Sequence, residues 1–232
     1  RKVDGLAISC NEPQALKAAI DKAVDAGIPT ITFDSDSPQS KRATFFGTDN
    51  YQGGLRAAEL LAKEMGGKGT VALLTGVIGA DNLEARIRGF KEGLKKYPGM
   101  RIVTTVPCND DVAEAVRQIR DVQRAQPGLG GWFLVGGWPL FVDPPGAFEG
   151  LKPGQVKVVS FDTLEPQLKY VRQGLVQALV GQKYYAWGYE SVKILKGLHE
   201  GKTYPPFVDS GLDIVTAANV AEFEAKWRSG KF

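Results

Sequence analysis

At 232 residues the chain has room for one large domain or two small ones. Apolar residues make up 43% and charged residues 24%, which excludes a disordered or low-complexity chain. Lys and Arg number 29 against 26 Asp and Glu, a net charge of +3 that is too balanced to mark a nucleic-acid surface by itself.

Residues 3–9 form a short apolar run and predict a strand. Residues 12–26 follow as a helix, with Leu16, Ala19, Ile20, Ala23 and Val24 at helical spacing. Asn11 or Ser9 can cap it, Gly27 ends it and Pro29 prevents its continuation. Strands are then expected at 28–33 and 44–46, a helix at 51–64, a strand at 70–75, a helix at 82–96, a strand at 101–106 and a helix at 112–125. Two more strands, 131–135 and 156–161, flank an irregular segment rich in Pro and Gly. Helices at 165–173 and 185–200 and a final strand and helix, 213–216 and 217–227, complete the expected order. The longest apolar runs are strand-sized, far short of the ~20 residues that span a bilayer. The chain begins without Met or a signal-peptide core, and it reads as a processed or truncated form. Cys10 and Cys108 have no CxxC spacing, and one disulfide or two free thiols both fit.

Strands alternating with helices imply an α/β protein with parallel sheets flanked by helices. Ligands of such sheets bind beyond the carboxyl ends of the strands. Those positions are polar along most of the chain: Ser9 and Asn11, Asp34, Asp49 and Asn50, Asp81 and Asn82, Asn109 and Asp110, Asp162. Each also fits an ordinary cap or turn residue.

The Gly-rich stretches lack nucleotide signatures. Residues 66–70 precede a strand and miss the phosphate-loop spacing, and residues 75–79 give GxxG without the third glycine. His199 is the single histidine, no GxSxG elbow exists, and no His or Cys cluster offers a metal site. No catalytic residue, metal or cofactor is expected.

Residues 3–9 with 12–16, the run 26–34, Phe46 to Asn50 followed by Gly53 and Gly54, residues 82–86 with Arg88, Gly89 and Phe90, and residues 158–162 come in an order and spacing that resemble the periplasmic sugar-binding proteins of the ribose-binding type. The effector domains of LacI-type repressors share this fold and several of these motifs. The resemblance runs from residue 3 to about residue 216. It implies two α/β lobes joined by three crossovers, with the ligand clamped between them. One lobe would hold residues 1–48 and 183–211, the other 49–182 and 212–232. It further implies that about two strand–helix units, roughly 60 residues, precede the segment that starts here.

A sugar offers hydroxyls that donate and accept, and apolar C–H faces, so its site needs planar polar groups and aromatic rings. By the resemblance, Asp34, Arg86 and Asp162 are the leading ligand residues. Asn82 lies one helical turn before Arg86 on the same face. Gln182 matches a hinge-side amide and can serve as hinge or ligand residue. Ser9 is a further strand-end candidate. The chain departs from the ribose type at Gly136-Gly137-Trp138, where an amide is usual; Trp138 can stack on a sugar ring or pack the Pro-rich loop. Tyr184, Tyr185 and Trp187 are expected in a helical core or on the lobe surface.

The resemblance implies the solute-binding component of a bacterial ABC-type sugar importer: a monomer, periplasmic or extracytoplasmic and lipid-anchored. It would close on a monosaccharide or polyol and hand it to membrane permease subunits, with no chemistry and no nucleic acid. The alternatives are a LacI-type effector domain and the sugar-sensor domain of a signalling receptor. An upstream helix-turn-helix would mark the first, a transmembrane segment the second.

Overall fold

The computed structural model describes residues 3–229. In chain order its elements are β1 (Leu6–Ile8), α1 (Pro13–Asp25), β2 (Thr30–Phe33), β3 (Phe45–Gly47), α2 (Asn50–Met65), β4 (Lys68–Thr75), α3 (Asp81–Leu94), β5 (Gly99–Pro107), α4 (Val112–Ala125), β6 (Gly131–Leu134), β7 (Lys157–Phe161), α5 (Glu165–Arg172), β8 (Ala178–Gly181), α6 (Tyr184–His199), β9 (Phe207–Asp209), β10 (Asp213–Thr216) and α7 (Val220–Ser229). Two short 3-10 turns, Trp138–Leu140 and Gly146–Phe148, order part of the Pro-rich segment. The described residues divide into two compact units. Unit 1 takes the chain up to Asp49, Gly79–Glu84 and Lys183–Gly211; unit 2 takes Asn50–Ile78, Ala85–Gln182 and the chain from Leu212.

Unit 1 carries a four-stranded parallel sheet in the order β1-β2-β3-β9. Ile31 and Phe46 of its strands meet Ile194 of α6, with Trp187, Leu195 and Leu198 packed around them. Pro13 opens α1, where its missing N–H costs nothing. Neither Ser9 nor Asn11 caps that helix: Glu12 precedes it without a side-chain cap, and the Ser9 hydroxyl is spent on Asp34. At the other end Gly27 sits at φ 77, its N–H bonded to Val24 O and that of Ile28 to Ala23 O. Together these bonds form the Schellman closure that glycine permits.

Unit 2 carries a six-stranded sheet in the order β10-β8-β7-β6-β4-β5. It is parallel except for β10, which runs antiparallel to β8. β6 and β8 are buried along their whole length, as central parallel strands covered on both faces must be. Side chains alternate between the faces. Trp132 and Leu134 enter a core with Ile119 of α4 and Leu168 of α5. Phe133 points the other way and stacks on Phe90 of α3, ring centroids 4.3 Å apart. Two strands were not expected. β8 is only four residues long, and β9 is three residues following Pro205 and Pro206, so neither shows a period of its own.

Helices α2 and α3 touch backbone to backbone. A Cβ at Gly54 would stand 2.1 Å from Arg86 O, and one at Gly89 2.0 Å from Tyr51 O. These glycines belong to the Gly53-Gly54 and Arg88-Gly89-Phe90 motifs, and this approach is the physical reason for them. It also fixes the turn of α3 that carries Arg86. No helix among the described residues is long and apolar enough to cross a membrane.

Candidate functional site

Because the strands of unit 2 other than β10 are parallel, their carboxyl ends lie along one edge of the sheet, and the strand-end residues Gly76, Asp110, Trp138, Asp162 and Gln182 fall there. Arg86 approaches from α3. It is 2% exposed, and its guanidinium donates through Nε to Asn50 Oδ1 (2.8 Å), through one terminal nitrogen to Val135 O (2.9 Å) and through the other to Gln182 Oε1 (2.8 Å). Its central carbon sits 3.9 Å from the centroid of the Phe161 ring. Rings of Phe90, Phe133 and Phe161 succeed one another beneath it. A buried cation on an aromatic face, held by planar acceptors, is the arrangement a guanidinium suits and an ammonium does not.

Gln182 carries the array onward. Its Oε1 accepts from Arg86, and its Nε2 donates to Asp162 Oδ1 at 2.8 Å. Asp162 Oδ2 accepts from Gly137 N–H at 3.0 Å, and its own N–H donates to Val180 O. Asp162 is half-buried at φ 78, in the left-handed region that Asp and Asn tolerate better than other side chains. The array is therefore a connected row of donors and acceptors, ending in a half-exposed carboxylate, at the strand ends of one sheet.

In unit 1, Asp34 follows β2 at φ 60, and the Ser9 hydroxyl donates to its Oδ2 at 2.9 Å. The two loops that carry them are laced together. Cys10 N–H donates to Ser35 O, Ser35 Oγ to Cys10 O, and Ser37 Oγ to Pro13 O. Among the described residues, those other than glycine with positive φ are Asp34, Asn109, Asp110 and Asp162, all just beyond strand ends. Strained backbone of this kind gathers at functional loops.

The sequence candidates thus fall into two sets. Arg86, Gln182 and Asp162 are joined in unit 2, and Ser9 is joined to Asp34 in unit 1. Trp138 sits one residue past the Gly137 amide that holds Asp162; it is half-buried and packs against the unit 2 core. Asn82 is half-buried in the first turn of α3, grouped with unit 1, and its Oδ1 accepts from Leu83 N–H. Asn50 and Phe161 were not singled out as site residues. Asn50 stands in the Phe46-to-Asn50 motif as a strand-end amide, which was the available signal. Tyr185 is 59% exposed, whereas Trp187 packs into the unit 1 core against Tyr184.

Cys10 and Cys108 are free and buried, and burial pushes each thiol up to about 11. Asp110 is raised above the usual carboxylate range by desolvation, opposed by the Val77 N–H that donates to it. Among the described residues no group of three or more His, Cys, Asp or Glu is placed to hold a metal ion.

The chain matches the periplasmic binding protein domain over residues 1–203. It is similar to the D-ribose/D-allose-binding protein of Pseudomonas aeruginosa, 28% identical over 226 residues that cover 93% of this chain and 70% of that protein. Among solved structures it is similar to an ABC transporter solute binding protein from Burkholderia graminis in complex with D-arabinose. The TM-score is 0.87 and the identity 38%, over 94% of this chain and 76% of that one. It is also similar to AraP, an arabinose binding protein from Geobacillus stearothermophilus, with TM-score 0.80 and 34% identity over 96% of this chain and 80% of that one. With two α/β units, polar strand ends and these relatives, the chain belongs to the periplasmic binding protein family.

Proposed function

We propose that this chain is the solute-binding component of a bacterial ABC-type sugar importer and that it binds a neutral monosaccharide or related polyol without chemistry. The observation that carries the reading is the Arg86–Gln182–Asp162 row at the strand ends of unit 2. It offers a buried cation, an amide and a carboxylate to a ligand whose every hydroxyl donates and accepts. Charge-assisted hydrogen bonds of this kind contribute about 1.5–3 kcal/mol each. Ser9 and Asp34 would supply the other lobe's contacts, Asn82 a further amide, and Trp138 an aromatic face. The lobes are residues 1–48 with 183–211 and residues 49–182 with 212–232. The names of the relatives, which are sugar-binding and transporter-associated, support the ligand class. The same reading places the protein outside the cytoplasmic membrane as a monomer, with permease subunits as partners of the sugar-loaded form.

Isothermal titration over a panel of aldoses, ketoses and polyols tests it. At least one neutral sugar binds with Kd of about 10 μM or tighter. Absence of heat for every member up to millimolar concentration overturns the reading.

A further inference from the structure

Gly76 follows β4 and Gly136 lies just past β6, both without side chains, and one indole takes the space they leave. A Cβ at Gly136 would stand 2.5–3.0 Å from Trp138 Cη2, Cζ3 and Cζ2, and one at Gly76 2.6 and 2.7 Å from Cη2 and Cζ2. The same point above Gly76 lies 2.0 Å from Asp110 Oδ1. The benzo edge of Trp138 and the Asp110 carboxylate therefore adjoin over the Gly76 backbone.

Asp110 is not the cap of α4. Asp111 does that, accepting from Glu114 N–H at 2.7 Å. Asp110 instead sits at φ 61 beyond β5, exposed, with the Val77 N–H donating to its carboxylate. The turn that carries Trp138 also holds Asp162, through Gly137 N–H. Asp110 thus adjoins the indole over Gly76, and Asp162 is held by the backbone of the residue before that Trp, in the loop where the resemblance leads one to expect an amide.

We propose that Asp110 and Trp138 form the discriminating edge of the unit 2 half-site, taking a neutral polyhydroxylated ring and rejecting its uronate. This rests on the sugar-binding reading. A carboxylate only accepts, so it matches a hydroxyl hydrogen, while the indole covers adjoining C–H groups. A uronate brings an anion that cannot donate, and it meets like charge at Asp110 and Asp162; that repulsion is what makes the site selective. A deoxy sugar that lacks the matched hydroxyl leaves the carboxylate unpaired and is rejected too.

The test is isothermal titration of the full chain with D-arabinose, D-ribose, D-galactose, their monodeoxy derivatives and D-galacturonate, with thermal melts alongside. Wild type binds a neutral sugar at least about 100-fold more tightly than the uronate, a gap of about 2.7 kcal/mol. Asp110→Asn keeps its melt, since Asn accepts the left-handed backbone. It weakens the neutral sugar about tenfold and narrows the gap to the uronate. One deoxy derivative loses its sensitivity to the substitution. Trp138→Phe weakens the neutral sugar without improving the uronate. If Asp110→Asn fails to fold, Asp110→Gly, which suits φ 61, gives the same readout. Unchanged affinities in the Asp110 variant, or a uronate bound as tightly as the neutral sugar, overturn this proposal alone. A wild type that binds no sugar overturns the sugar-binding reading and this proposal with it.

Discussion

Gln182 donates through Nε2 to Asp162 Oδ1 at 2.8 Å, and this leaves its Oε1 facing Arg86. The amide is held in one orientation from both sides, by a donor that cannot accept and by an acceptor that, ionised, cannot donate. Gln182→Glu keeps the contact with Arg86 but sets a second carboxylate against Asp162. The expected outcome is sugar affinity reduced about tenfold or more at pH 7, by calorimetry. Wild-type affinity in the variant would mean that the Nε2 donor is not used.

Arg86→Lys removes the fork that serves Asn50, Val135 and Gln182 at once. A lysine ammonium reaches one of these well and leaves the others buried without a donor. The expected cost is about 2–3 kcal/mol, seen as a melting point lowered by about 5–10 °C. Affinity falls with it, because the cation moves off the Phe161 face. A variant that melts like wild type would contradict the buried network.

Gly54→Ala tests the backbone contact that sets Arg86 in place. The new Cβ would meet Arg86 O at 2.1 Å, a backbone atom that no rotamer change can move. The helices must separate, at a cost of about 1–3 kcal/mol, and sugar affinity drops as Arg86 shifts. Gly188→Ala is the control. Gly188 lies inside α6 with nothing within 4 Å of the added Cβ, so alanine stabilises the protein by about 0.5–1 kcal/mol. Equal melting points for the two variants would remove the packing explanation.

Much of this arrangement is local and therefore legible in the chain. Alternating strand and helix patterns, and a polar residue after strand upon strand, are set by residues within a few positions of one another. Asp34 and Asp162 stand out for that reason. The Gly53-Gly54 and Gly89 motifs are visible as a resemblance, but their cause is a contact between helices far apart in sequence. Asn50 escaped because its partner, Arg86, is 36 residues away. β8 was missed because Ala-Leu-Val-Gly is too short to show a period, and the strands it pairs with, β7 and β10, are distant from it in sequence. Ser9 read both as a cap of the first helix and as a ligand candidate; it does not cap that helix, because the loop lacing that turns it toward Asp34 is tertiary.

The two thiols carry a pH prediction. Burial raises Cys10 and Cys108 from 9.0 to about 11, so the folded chain holds their protons where an unfolded chain has begun to lose them. Their contribution to stability is complete below pH 9 and is lost as pH rises from about 9 toward 11. At pH 7 to 8 a disulfide reagent labels both thiols slowly in the folded protein and rapidly in denaturant, since the thiolate is the reactive form. Rapid labelling of the folded protein at pH 7 would contradict their burial.

Arg42 and Asp36 support the loop behind Asp34. Arg42 donates to both carboxylate oxygens, and the two side chains keep 11% and 9% of their exposure. Asp36 also accepts from the Thr32 hydroxyl and the Ser37 N–H. A third Arg42 nitrogen donates to Pro206 O at 2.9 Å, which ties the loop to the residue before β9. Arg42→Ala leaves the carboxylate buried with its two neutral donors only, at an expected cost of about 3–5 kcal/mol. Asp36→Ala in the same background removes the stranded charge, so the double variant is less destabilised than the two single losses combined. Denaturant titration of the four proteins measures the coupling. Strict additivity would show that the pair is solvated in solution and that the Asp34 loop is held by its serine contacts alone.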